Sequence, residues 1–202
     1  MLAFPTHALL TPVQCYLGDS VAGRLGVILE REKAPGSVAR DYKSAEVSVL
    51  LAWALTGDVD AGSLPLLAIE GHTVGGQPGE LFTGKDMMNR MEHHRTFGDA
   101  LWAALKAGTN EQGLAAERSE VLTIARGSVS AAATITMQTG PDTVFSLHFG
   151  RLVRGDVRTA LDVYEADAIR NVGAAMLAHH AAEHSMDSLT LDGGPSSESR
   201  VH

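Results

Sequence analysis

The clearest pattern in the chain is an alternation of apolar and polar residues over the stretch Glu120 to Val163. In one of its runs, Phe145, Leu147 and Phe149 fall on one side, and small or polar residues fall on the other. A period of two is typical of a strand with one buried face. The stretch therefore predicts three to four antiparallel strands, and the polar turn from Thr139 to Asp142 predicts that two of them form a hairpin.

Three other segments show the spacing of packed helices. From Ser44 to Thr56, apolar residues recur at intervals of three and four, with Ser44 as a predicted N-cap and Gly57 as a predicted C-cap. Similar signals predict helices within Asp86 to Ala107 and over Glu165 to Met186. We expect these helices to cover the sheet, with Ile169, Val172 and Met176 among the residues that face it.

The first forty residues show weaker patterns. Pro5 and Pro12 predict an irregular start. The segment Asp19 to Lys33 fits a helix, but its glycines weaken that interpretation, and Gly26 to Glu32 fits a strand equally well. We favour a strand or a mixed element there, and a short buried strand from Leu64 to Glu70.

Together these elements predict an α+β fold in which an antiparallel β-meander of three to four strands packs against several helices and ends in a C-terminal helix. Residues 1–186 form one predicted domain, with possible lobes at 1–108 and 117–186. Residues 187–202, which contain a Gly-Gly-Pro-Ser-Ser sequence, are predicted to be a flexible, disordered tail. We expect the first strand, Glu120 to Arg126, to need a cover from the N-terminal part or from a second subunit.

Composition and charge limit the classes of function. The 202 residues carry a net charge of −8, and such an acidic balance argues against direct binding to a nucleic-acid backbone. The single cysteine, Cys15, excludes an intramolecular disulfide and suits a reducing compartment. The longest apolar run, Val49 to Leu55, is far shorter than the roughly 20 residues of a membrane span. We therefore expect a cytoplasmic protein without a signal peptide and without membrane contact.

A glycine-rich segment contains the first candidate for chemistry. Gly79 to Lys85 matches the GxxxxGK part of a phosphate-binding loop, but Asp86 stands where Mg²⁺ binding requires Ser or Thr. Helix capping explains the same residues, because Thr83-x-x-Asp86 resembles a capping box, and Thr96-x-x-Asp99 repeats that pattern.

The second candidate is a possible metal site near the end of the last helix. His180, Glu183 and His184 form an H-x-x-E-H sequence, in which two His one turn apart could bind zinc and the Glu could activate water. A third ligand would have to come from another element, such as the one that carries His72, His93, His94 or His148. We therefore expect His179, His180 and His184 to bind no native metal, and no cofactor is predicted otherwise.

Three functional hypotheses follow. The leading one is a cytosolic accessory or interaction protein without its own catalysis, which forms homo-oligomers. The second is a metal-dependent hydrolase that uses His180, Glu183 and His184, with zinc as its cofactor. The third is a small-molecule or nucleotide binder that uses the Gly71 to Gly84 loop. No pattern in the sequence identifies catalytic residues, a protein partner or a biological process.

Overall fold

The computed structural model describes residues 3–32, 41–57, 64–73, 95–107, 120–140 and 143–191. The helices are α1 (Thr6–Leu17), α2 (Asp19–Glu32), α3 (Ser44–Thr56), α4 (Phe97–Ala107) and α5 (Ala166–Leu191). The strands are β1 (Ala3–Pro5), β2 (Asp41–Lys43), β3 (Leu66–Thr73), β4 (Glu120–Gly127), β5 (Ala131–Gly140), β6 (Thr143–Gly150) and β7 (Arg158–Glu165).

The predicted α+β fold is confirmed. β1 and β2 form a short antiparallel pair, and the other five strands form one antiparallel sheet in the order β3-β6-β5-β4-β7. β4, β5 and β6 follow one another as a meander, but β7 returns to the far side of β4, so these four strands form a Greek key. β4 is therefore an interior strand, paired on both sides, and the expectation that Glu120 to Arg126 needs a cover at an edge is wrong.

The segment 151–157 crosses from the end of β6 to the far side of β4, where β7 begins. It passes the turn that joins β4 to β5, and the Asp156 carboxylate binds that turn: it accepts hydrogen bonds from the Ser128 backbone N–H (2.8 Å) and from the hydroxyls of Ser128 and Ser130. The two hydroxyls hold the pKa of Asp156 well below its usual range, because they stabilise the ionised form. Asp156 thus holds the crossover segment against the turn of the hairpin that β4 and β5 form.

The core lies between one face of the sheet and the helices. Leu147 and Phe149 are buried as their alternation predicts, with Leu147 2% and Phe149 0% exposed. Ile169, Val172 and Met176 of α5 are buried in the same cluster, which confirms the predicted face of that helix. α5 continues to Leu191, five residues beyond its predicted end.

The N-terminal region differs from the sequence-based expectation. α1 continues through Pro12, and α2 is helical over the whole segment that favoured a strand or mixed element. Val21, Leu25 and Leu29 recur every four residues and are buried, so burial of this stripe outweighs the low helix propensity of glycine. The Cβ that Gly23 lacks would meet no atom within 4 Å, so that glycine reflects no packing constraint.

Two predicted helix ends are confirmed, and one start is displaced. Gly57, with a φ of 76°, follows the last residue of α3 as its C-cap. Thr96 and Asp99 form the predicted capping box, in which each side chain accepts from the other residue's backbone N–H (3.1 and 3.0 Å). The N-cap of α3 is Lys43 rather than Ser44, a displacement of one residue. Thr83 and Asp86 lie outside the described residues.

Candidate interaction surface

β7 is an edge strand whose apolar side faces away from the helices. Among the described strands, it pairs with β4 on one side and has no neighbour on the other. Leu161 and Val163 are 49% and 62% exposed, and Val157, just before the strand, is 72% exposed. An antiparallel sheet with one solvated face normally turns its apolar residues inward and its polar residues outward. β7 reverses that arrangement.

The reversal follows from a polar contact beneath β7. Asp162 faces the helix side, where its carboxylate pairs with Arg126 Nη2 of β4 at 2.5 Å, and Arg126 Nη1 donates to the Leu55 carbonyl (3.0 Å). These two side chains are only 31% and 15% exposed. Separating a partly buried pair of this kind would leave an uncompensated charge, so the contact determines which side of β7 faces inward.

A second arginine supports the same end of α3. Arg24 of α2 donates its Nε hydrogen to the Ala54 carbonyl (2.5 Å) and its Nη1 hydrogen to the Ser20 hydroxyl (2.7 Å). Burial and the neighbouring Arg126 lower the pKa of Arg24, and burial beside Asp162 raises the pKa of Tyr164. Arg24 and Arg126 thus satisfy carbonyls at the C-terminus of α3 that have no partner within the helix.

The exposed apolar residues belong to a larger uncharged surface, which we call the outer face. In the cross-strand registers of β4, β5 and β7, residues directly opposite each other project to the same side of the sheet. The outer face consists of Val121, Thr123, Ala125, Ala132, Thr134, Thr136, Leu161 and Val163. None of these eight residues is ionisable, and Glu165 lies at the margin, opposite Val121.

β6 adjoins this face with polar side chains, of which Ser146 is buried. The Thr134 hydroxyl is 3.2 Å from His148 Nδ1, and the Thr136 hydroxyl is 3.3 Å from the Ser146 hydroxyl. Ser146 and His148 were predicted to project to the other side of the strand from Leu147, and they do. On the β6 side, the outer face therefore meets hydroxyl and imidazole groups.

The structure brings the predicted histidines against the N-terminus of the chain. The His180 ring lies edge-on to Phe4 with centroids 5.8 Å apart, and the His179 ring lies edge-on to His7 at 4.8 Å. Glu183 and His184 belong to α5, but their side chains are outside the described part of the structure. The hypothesis of a metal site at His180, Glu183 and His184 therefore stays a prediction.

The other candidate metal ligands and the candidate phosphate-binding loop add little to this picture. His148 projects from the side of β6 that faces away from the helices, and the side chain of His72 and the whole of His93 and His94 are not described. Within the described ranges, no three His, Cys, Asp or Glu side chains lie close enough together to hold a metal ion. The phosphate-loop candidate at Gly79 to Lys85 also lies outside these ranges.

The contact between Arg126 and Asp162 was not predicted from the sequence, although a signal was present. Leu122, Ile124 and Arg126 have the same parity, so the alternation that points two apolar side chains inward also points an arginine inward. An inward arginine needs an acceptor, and the pattern could have prompted a search for one.

Within the described parts of the chain, no helix has the length and apolar character required to cross a bilayer. No protein-family model matches the chain, and neither curated protein sequences nor solved structures show a significant match to it.

Proposed function

We propose that this protein is an accessory or interaction protein that self-associates, and that the outer face is the surface on which a second copy docks. The observation that carries the proposal is the exposure of Leu161 and Val163 within a surface of eight residues that has no charge. Exposed apolar side chains on an uncharged face favour an interaction site there.

The charge of the chain favours a second copy as the occupant. In a twofold dimer the same patch meets itself, so any charged residue near the axis would oppose its own like charge. The chain carries a net charge of −8, so two copies repel each other overall. The outer face avoids that repulsion, because its residues are neutral.

The test is the oligomeric state of the full chain and of two lysine variants. We expect sedimentation at micromolar concentration to give a dimer or a larger assembly for the parent. Leu161→Lys should shift the mass towards the monomer, because it places like charges together in the interface. Leu161 is about half exposed, so the lysine should not disturb the fold of the single chain. The variant should therefore melt at the same temperature as the parent does when the parent is monomeric.

Val129→Lys is the matched control. Val129 is 73% exposed but lies in the turn between β4 and β5, outside the outer face. We expect it to leave the mass of the assembly unchanged. A clean monomer mass for the parent, or equal dissociation by both lysines, would contradict the proposal.

A further inference from the structure

Two loops at one end of the sheet expose a group of apolar side chains. These loops are the turn between β4 and β5 and the crossover segment 151–157. Val129 of the turn is 73% exposed, and Val153 and Val157 of the crossover are 54% and 72% exposed. A single exposed apolar side chain is ordinary, but several at one place favour an interaction site.

Hydrogen bonds hold the three valines close together. The Val153 N–H donates to the Ser130 hydroxyl (3.0 Å), and the Val129 N–H donates to the Asp156 carboxylate (3.4 Å). The Asp156 N–H donates to the Val153 carbonyl (2.9 Å), and Val157 is the next residue in the chain. The valines therefore belong to one hydrogen-bonded unit, and we call Val129, Val153 and Val157 the valine tip.

Positive charge flanks the valine tip, although the chain as a whole is acidic. Arg151 and Arg154 of the crossover are exposed, and neither pairs with a carboxylate among the described residues. The carboxylate of Asp156, the one acidic group of the two loops, is occupied by donors of the turn. At physiological ionic strength, charges more than roughly 8 Å away are largely screened. The two arginines therefore decide what this end of the molecule attracts, rather than the net charge of −8.

The shape of this end favours a lipid surface over a protein partner. Valine side chains that are more than half exposed stand out from the molecule rather than line a groove. A protein would have to supply a matching hollow for them, whereas a bilayer takes up apolar side chains without a fixed shape and attracts basic ones to anionic headgroups. We infer that the valine tip docks on the surface of an anionic lipid bilayer, with Arg151 and Arg154 at the headgroups.

Such docking needs no segment that spans the bilayer. The expectation of a protein without membrane contact came from the length of the longest apolar run, which bears on spanning and not on peripheral binding. The valine tip shares no residue with the outer face, so lipid docking does not depend on self-association.

Co-sedimentation of the full chain with vesicles tests this docking. We expect binding to vesicles of phosphatidylcholine mixed with phosphatidylglycerol, and at least about tenfold weaker binding to phosphatidylcholine alone, which offers the arginines no net negative charge. Added salt should weaken the binding, because it screens this attraction. Self-association through the outer face should not weaken with salt, so the two proposals can fail separately.

Two pairs of variants locate the contact. Val153→Asp and Val27→Asp add the same charge at positions of equal exposure, 54%, but Val27 lies on α2. Arg154→Glu and Lys43→Glu reverse the charge of exposed side chains, and Lys43 precedes α3 at roughly 20 Å from the other end of that helix, which lies beside Arg126. We expect each tip variant to weaken vesicle binding at least about tenfold and each control to leave it unchanged.

Thermal melting shows whether each variant is folded, and if Val153→Asp does not fold, Arg154→Glu decides. Lipid docking is contradicted if the parent binds neither kind of vesicle, if it binds both equally well, or if a control weakens binding as much as its tip variant. Poly-glutamate gives the last comparison. If it binds in an Arg154-dependent manner while vesicles do not bind, the tip belongs to an acidic protein partner, and docking on lipid is overturned.

Discussion

At the scale of single residues, the Asp156 side chain joins two segments that are distant in the sequence. Its carboxylate accepts hydrogen bonds from two hydroxyls and from the backbone N–H groups of Ser128 and Val129. Gly127 completes the contact, because a Cβ at that position would collide with the Asp156 carboxylate. One ionised side chain therefore connects the crossover to a turn 28 residues earlier in the chain.

Asp156→Asn should lower the melting temperature at neutral pH, because an amide places donors where the turn offers donors. The folded pKa of Asp156 lies below its ordinary value of 3.8, so its stabilisation is fully present above that value. This stabilisation is lost as the pH falls towards the folded pKa. The difference in free energy of unfolding between parent and variant should therefore be constant from about pH 5 to 8 and shrink below about pH 4.

Asp41→Asn provides the control for this pH series, because Asp41 is an exposed carboxylate on β2. Denaturant unfolding at several pH values gives the comparison. If Asp156→Asn were as stable as the parent at pH 7, or if the difference grew in acid, Asp156 would not have the role described.

At the scale of elements, the approach of α5 to α4 depends on one glycine. A Cβ at Gly173 would meet the Leu105 carbonyl carbon at 2.9 Å and its Cα at 3.0 Å, both backbone atoms that cannot rotate away. Gly173→Ala should therefore force the helices apart and lower the free energy of unfolding by about 1–3 kcal/mol. Chemical denaturation measures this change.

The same substitution at Gly23 should have the opposite sign. Gly23 lies inside α2, and a Cβ there would meet no atom within 4 Å. Gly23→Ala should raise the free energy of unfolding by about 0.5–1 kcal/mol, because alanine loses less backbone entropy in a helix. If both alanines stabilised the protein, the described contact between α4 and α5 would be wrong.

At the scale of the whole molecule, the proposed association joins two chains of net charge −8 through an uncharged surface. Salt should therefore not weaken the assembly. The Debye length falls from roughly 30 Å at 0.01 M salt to roughly 3 Å at 1 M, so added salt screens the general repulsion between the chains. We expect the dissociation constant to fall or stay constant as salt rises.

Sedimentation of the parent across a salt series measures this dependence, with Leu161→Lys in parallel. The lysine variant should regain some association at high salt, because its new like-charge repulsion is screened as well. Dissociation of the parent on addition of salt would instead indicate an interface built on ion pairs, which the outer face does not contain.

Much of the local structure was predictable because its causes are local. The alternation around Leu147 predicted a strand with one buried face, and Thr96 with Asp99 predicted a helix start that the hydrogen bonds confirm. Gly57 predicted the end of α3. In each case the deciding interactions join residues a few positions apart, or depend on a periodicity that the sequence itself displays.

Tertiary contacts decided the rest. Val21, Leu25 and Leu29 make α2 a helix only because other elements cover them, and local propensity at its glycines indicated otherwise. The proposed docking surface, which is the candidate site, was not predicted from the sequence, because it too depends on tertiary contacts. The sequence alone determined that β7 is a strand with one apolar side; the pairing of Asp162 with Arg126, 36 positions away in the chain, decided that this side faces outward.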